Sequence, residues 1–86
     1  MTTAKALAER VRADDSVKAV GDHHRRGVEA FLQAYEYVED GNPGQSPAEL
    51  CELAESYLIM TATPALTEME WRAAEVTKDA LIRLAG

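Results

Sequence analysis

The stretch Gly-Asp-His-His-Arg-Arg-Gly, Gly21 to Gly27, gathers two imidazoles, a carboxylate and two guanidinium groups in adjacent positions. Such a set could bind a metal ion or move protons. A structural zinc site, however, draws three or four ligands from spaced positions, and the other His, Cys and carboxylate residues form no Cys-x-x-Cys or His-x-x-x-His pattern. His23 and His24, about 100° apart on a helix, cannot easily share one ion. On a helical wheel His24 falls on the core side and His23 near its border, so His24 reads as a hydrogen-bonded boundary residue. Asp22 reads as a helix cap, and Arg25 and Arg26 as a solvated face within reach of Glu29.

Cys51 is the single cysteine, has no histidine near it in sequence and lies at the flank of a helical stripe. It reads as a semi-buried small apolar residue, not a nucleophile, and it cannot form an internal disulfide. No nucleophile, base and orienting group stand in a catalytic pattern, so no enzyme activity, metal or cofactor is expected.

The remaining chemistry is collective. Up to Arg26 there are six bases and four acids; from Gly27 to Trp71 there are nine acids and no base; the last fifteen residues carry three bases and two acids. A net charge of −6 disfavours direct contact with nucleic acid or an anionic membrane, because each phosphate contact needs a cation. It favours a protein partner with a basic surface. No run of about 18 apolar residues is present, and the first ten residues lack the apolar core of a secretory signal, which makes a cytoplasmic location the expectation.

The elements that must position these charges are helical. A chain of 86 residues is expected to form one domain, residues 1–86, whose core is thin because fifteen of its apolar residues are alanine. Gly and Pro cluster at Asp40 to Pro47. There Gly41 suits a left-handed C-terminal cap, Ser46 an N-cap, Pro47 the first helical position and Glu49 the third, so a helical hairpin is expected around residues 41–46.

The helix before that hairpin, from about Asp22 to Asp40, carries His24, Val28, Phe31, Tyr35 and Val38 on one stripe. Arg26, Glu29, Gln33, Glu36 and Asp40 lie on its far side. The helix after it, from about Pro47 to Ala62 with Pro64 as its stop, carries Leu50, Leu53, Ala54, Tyr57 and Thr61, with Leu58 beside them and Ile59 on the polar back.

Leu66, Thr67, Glu70 and Trp71 form a capping box with a hydrophobic staple, so a last helix is expected from Glu68 to Ala85. That helix has two apolar sides, Met69, Ala73, Val76, Ala80 and Leu84 on one, and Trp71, Ala74, Ile82 and Ala85 on the other. It is therefore either sandwiched in the fold or half of an interface. A shorter helix from Thr3 to about Ala13 buries Ala4, Leu7, Ala8 and Val11; the next helix begins at Asp15 or at Asp22. The expected fold is all-α, a three- to four-helix bundle with three long helices up-down-up and the N-terminal helix across it, on the Trp71 side.

Asp14, Asp15 and Ser16, followed by Val17, resemble the Asp-Ser-Leu around the phosphopantetheine serine of acyl carrier proteins, which are also small, acidic and four-helical. The resemblance covers these few residues, Val17 stands in place of the leucine, and too little chain precedes Ser16 for that family's long first helix and loop. What it implies is an alternative role as an acyl-carrier-like protein modified at Ser16.

The principal functional reading is a small acidic interaction module, a regulator or inhibitor of the immunity, antitoxin or phage-accessory type. It docks on a basic partner, for instance a nucleic-acid-binding enzyme. Glu36, Glu39, Asp40, Glu49 and Glu52 crowd the hairpin end and supply the charge, with Tyr37 and Ile59 as apolar anchors. A second reading is a self-associating subunit, a homodimer through Trp71 and Ile82 of the last helix.

Overall fold

The computed structural model describes residues 4–61 and 66–85. The chain folds as α1 (Ala4–Ala13), α2 (Asp15–Lys18), a 3-10 turn (Asp22–His24), α3 (Arg25–Gly41), α4 (Pro47–Thr61) and α5 (Glu68–Ala85), with no strand among the described residues. The three long helices pack closely on one another as a small all-α bundle, up-down-up. Their Cα atoms span 33 × 28 × 15 Å, so the thin direction holds two helix layers at most and the core is a single seam of side chains.

The start of α3 resolves the choice between Asp15 and Asp22, because neither residue begins the long helix. Asp14 caps the single turn of α2, its carboxylate accepting from the Ser16 amide at 3.2 Å. Gly21, at φ +83°, then reverses the chain, a backbone conformation that costs a glycine little. One 3-10 turn follows, and α3 begins at Arg25 instead of about Asp22. On α3 the expected stripe is buried at Val28, Phe31, Tyr35 and Val38, joined by Gly27, Leu32 and Ala34; His24 is half-buried.

Its end differs from expectation in one respect. Gly41 stays inside the helix, and the left-handed residue of the hairpin is Gly44, at φ +90°. Asn42 makes the difference, since its side-chain Nδ2 donates to the Val38 carbonyl at 2.9 Å and satisfies a carbonyl that a left-handed glycine would otherwise serve. The start of α4 is as expected: Ser46 Oγ accepts from the Glu49 amide at 3.2 Å and donates to Glu49 Oε1 at 3.0 Å. The expected stop at Ala62 and Pro64 lies outside the described residues, as does Thr3.

On α4 the buried set is Leu50, Cys51, Ala54 and Leu58, a stripe rotated from the expected one. Leu53 and Thr61 are exposed, Tyr57 is half-buried, and Cys51 is fully enclosed, not semi-buried. The rotation follows from α5, which lies against α4 on the Cys51 side; the Cys51 thiol is 4.0 Å from the Lys78 carbonyl.

For α5 the buried arc, Glu70, Ala73, Ala74, Thr77, Ala80 and Leu81, falls between the two apolar sides that the sequence suggested. Met69 is 48% exposed. This helix touches α1, α2, α3 and α4, so its width of small and apolar residues is matched by neighbours within the chain. Two polar residues can be buried here because each is satisfied by its own helix. Thr77 Oγ1 donates to the Ala73 carbonyl at 2.8 Å, and Glu70 Oε1 accepts from the Thr67 amide at 2.8 Å while Thr67 Oγ1 accepts from the Glu70 amide at 3.1 Å. The capping box is thus present as expected.

The N-terminal helix buries Leu7, Ala8 and Val11, with Ala4 half-buried. Its segment is fastened by two forked ion pairs. Arg12 donates to both oxygens of Glu29 on α3, at 2.8 and 2.9 Å, and Arg83 near the end of α5 donates to both oxygens of Asp14, at 3.2 and 2.9 Å. The Arg83 pair and Ala85, which shares a cavity with Ala4 and Leu7, place these contacts at the C-terminal end of α5. Ala85 belongs to the apolar side of α5 that the sequence grouped with Trp71, and Trp71 itself is at the other end of that helix.

These two pairs predict an acid-sensitive attachment. Hydrogen bonds from Arg83 and then Ser16 hold the Asp14 carboxyl well below the usual range, and those from Arg12 lower Glu29. A lowered folded-state value contributes stability that is present above the ordinary carboxylate range and is lost as pH falls through the lowered values. The thermal midpoint should fall by a few degrees between about pH 5 and pH 2, and by less in an Arg12→Gln, Arg83→Gln double variant. Identical slopes in both proteins would mean that neither pair is linked to folding.

Candidate functional site

The nine carboxylates between Gly27 and Trp71 sort into two groups. Four have internal duties. Glu29 pairs with Arg12 at 2.8 Å, Glu55 with Lys78 of α5 at 3.4 Å, Glu68 with Arg72 at 3.4 Å, and Glu70 closes the capping box. Glu70 is held below the usual range first by the Thr67 amide, helped by the charges of Arg26 and His24. The expected pairing of Glu29 with Arg25 or Arg26 is replaced by Arg12, whose guanidinium reaches both carboxylate oxygens at once. Arg25 instead pairs with Asp22 at 3.6 Å.

The other five, Glu36, Glu39, Asp40, Glu49 and Glu52, form no ion pair with a described lysine or arginine. All are in the last turns of α3 or the first turns of α4. They do not form a single face. Glu36 is half-buried on the α1 side, where its charge, after the hydrogen bonds to Glu29, helps to keep Arg12 protonated. Glu39, also half-buried, lines a cavity with Ala4 and Leu7 of α1. Asp40 is exposed, and Glu49 and Glu52 line a shallow depression with Asn42, Gln45, Leu53 and Ser56.

Tyr37 and Ile59 are both exposed, at 64% and 66%, but they lie on different sides of α4. Tyr37 stacks on Tyr57, with ring centroids 4.6 Å apart and planes 29° apart. Ile59 lies one turn beyond Glu55, which reaches across to α5. Tyr37 therefore borders a groove of about 520 Å³ between α3 and α4, which Arg26, Gln33, Tyr57 and Leu66 also line; sequence reasoning did not foresee that groove.

Trp71 is half-buried against the core, and Ile82, at 37% exposure, sits on the same side of α5 about three turns on. Ala74, on that same expected side, is fully buried. The internal neighbours of α5 thus account for part of the second apolar side.

The residues with individual reactivity are engaged locally. His24 Nδ1 donates to the Val20 carbonyl at 3.1 Å, as its boundary position suggested, while His23 is exposed. Ser16 Oγ donates to Asp14 Oδ2 and accepts from Arg83 at 3.4 Å, so the hydroxyl of the carrier-like triplet belongs to the α2 cap and its clamp. Burial pushes the Cys51 thiol up to about 11, which leaves little thiolate at neutral pH.

Comparison of the chain with protein-family models, with curated proteins and with solved structures returns no match in any of the three.

Proposed function

We propose that this protein is a small acidic interaction module, a regulator or inhibitor of the immunity, antitoxin or phage-accessory type, that docks through its hairpin end on a basic partner surface, such as that of a nucleic-acid-binding enzyme. The observation that carries this reading is the division of the carboxylates. Glu29, Glu55 and Glu68 are neutralised and Glu70 is capped within the chain, whereas Glu36, Glu39, Asp40, Glu49 and Glu52 at the hairpin end form no ion pair with a described lysine or arginine, although Glu49 closes the Ser46 cap and Glu36 lies in the field of Arg12. Glu39 and Asp40 also sit in the last turn of α3, where the helix dipole disfavours negative charge. Carboxylates at one end of the molecule, without ion pairs to described cations, gain from an external cationic surface, which would accelerate association by steering. Tyr37 beside this end supplies rigid aromatic contact area.

The test separates binding from folding. Glu39→Lys, Asp40→Lys and Glu52→Lys together reverse the local charge, and lysines in the last turn of α3 suit its dipole, so the thermal midpoint should hold or rise. Glu49 is left in place to keep its cap. The wild-type protein, immobilised in extract from its native cells, should retain a partner that is released at about 0.5 M salt and is not retained by the triple variant. Retention of the same partner by the folded triple variant would remove the proposal.

A further inference from the structure

The hairpin end also holds a cavity, which shares Glu39 with the docking reading. A cavity of about 470 Å³ opens between the start of α1, the hairpin and the end of α5. Its wall is apolar at Leu7, Leu50 and Ala85, and its polar groups include Tyr35, Glu39 and Asn42. Tyr35 is only 3% exposed, yet its hydroxyl has no hydrogen-bond partner among the described residues. Among the described residues no enclosed side-chain oxygen or nitrogen lacks a partner, so this hydroxyl is not sealed in the core, and Tyr35 is one of the residues that line the cavity. A tyrosine this deep ordinarily bonds its hydroxyl to something.

The lining defines what could bind there. Among the described residues it contains one charged side chain, Glu39, one turn from Tyr35 on the same face of α3, and no lysine, arginine or histidine. An anion would meet only repulsion. Asn42 uses its Nδ2 on the Val38 carbonyl, which leaves Oδ1 as an acceptor. Burial first, then Cys51 and last the charge of Glu39, push the Tyr35 phenol up to about 12, so it stays neutral and its oxygen can accept. A primary ammonium carries three donors, matched by one carboxylate and two neutral oxygens, and an attached alkyl chain would cover the Leu7, Leu50 and Ala85 wall. Glu39 is half-buried at the rim, so the charge need not be fully dehydrated.

The geometry points to a binding site for a primary alkylammonium group in the cavity between α1, the hairpin and α5, held by Glu39, Tyr35 and Asn42. The group can come from a free small amine or from the lysine side chain of a protein, and the inference does not depend on the docking proposal.

The probes are n-butylamine and Nα-acetyl-lysine amide, titrated into the full-length protein while the backbone amides of Leu7, Leu50 and Ala85 are followed by NMR. Saturable shifts are expected with both. The tighter of the two identifies the source, a free amine or a protein side chain. n-Butanol and butyrate should bind at least about tenfold more weakly, because each lacks the cation. Glu39→Gln should weaken the amine roughly tenfold and Tyr35→Phe about threefold, as expected for a charge-assisted and a neutral hydrogen bond. Glu75→Gln removes an exposed acid of α5 that is not in the cavity lining, and should leave binding unchanged. Thermal melts of each variant check that the fold persists. Absence of saturation, equal binding of n-butanol or butyrate, or full-strength binding by both folded cavity variants would overturn the assignment.

Discussion

Gly27→Ala is expected to destabilise the protein by about 3 kcal/mol, and to lower the thermal midpoint by roughly 10 °C or more. Helix propensity alone predicts the opposite, since alanine is favoured over glycine in a helix interior by about 1 kcal/mol. Packing decides the sign. A Cβ on Gly27 would stand 2.0 Å from the Glu70 carbonyl oxygen and 2.8 Å from its carbon, both backbone atoms that cannot swing away. To restore contact distance, α3 and α5 must separate by more than an ångström, and the separation falls where Glu70 and Thr67 close the capping box of α5. The change therefore loosens a close contact between α3 and α5 and threatens a helix start at the same point. A chemical denaturation curve is sufficient to check this; a variant as stable as wild type would mean that the helices are not held at that distance.

That glycine marks the limit of what the sequence made legible. Gly27 closes the histidine and arginine stretch, where it reads as punctuation, and nothing local says that another backbone lies against it. Features set by neighbours in sequence were legible: the stripe of Val28, Phe31, Tyr35 and Val38, and the two caps at Ser46 with Glu49 and Thr67 with Glu70. Features set by a distant helix were not. The buried arc of α5 passes through Thr77 and Glu70, which a wheel scores as polar, although each is satisfied within its own helix and is as easily enclosed as an alanine. Cys51 likewise sits at the edge of an ideal stripe and becomes central only because α5 lies on that side.

The candidate site divides the same way. The unbroken acidic run from Gly27 to Trp71 was visible as composition, and the hairpin that gathers its middle was visible as Gly, Pro and capping residues. Which carboxylates would be neutralised was not, because Arg12 and Lys78 come from segments far along the chain. The Tyr35 cavity was hidden for a similar reason. Tyr35 read as one more core residue, and the walls that leave its hydroxyl open come from α1, α4 and α5. A phenol in a core stripe, one turn from a carboxylate on the same face, is the signal that could have prompted the search.

Phe31→Ala and Tyr37→Ala, two aromatic truncations six residues apart on one helix, should separate stability from recognition. Phe31 is 1% exposed and the largest side chain fully enclosed in the core, so its loss is expected to cost about 3–5 kcal/mol through lost transfer free energy and the cavity left behind. An 86-residue domain has about 4–13 kcal/mol in total, so this variant should be substantially unfolded well below the wild-type midpoint. Tyr37 is 64% exposed and its described aromatic contact is the stack on Tyr57, so its removal should cost about 1 kcal/mol. The thin core explains the contrast: with helices only two layers deep, few positions are enclosed on all sides, and α3 turns Phe31 into the seam and Tyr37 out of it. Partner retention should accordingly fail in Tyr37→Ala although its melt is nearly that of wild type. A Phe31→Ala protein that melts like wild type would contradict the packing of α3 against α4 and α5, and a Tyr37→Ala protein that keeps its partner would remove this ring from the docking face.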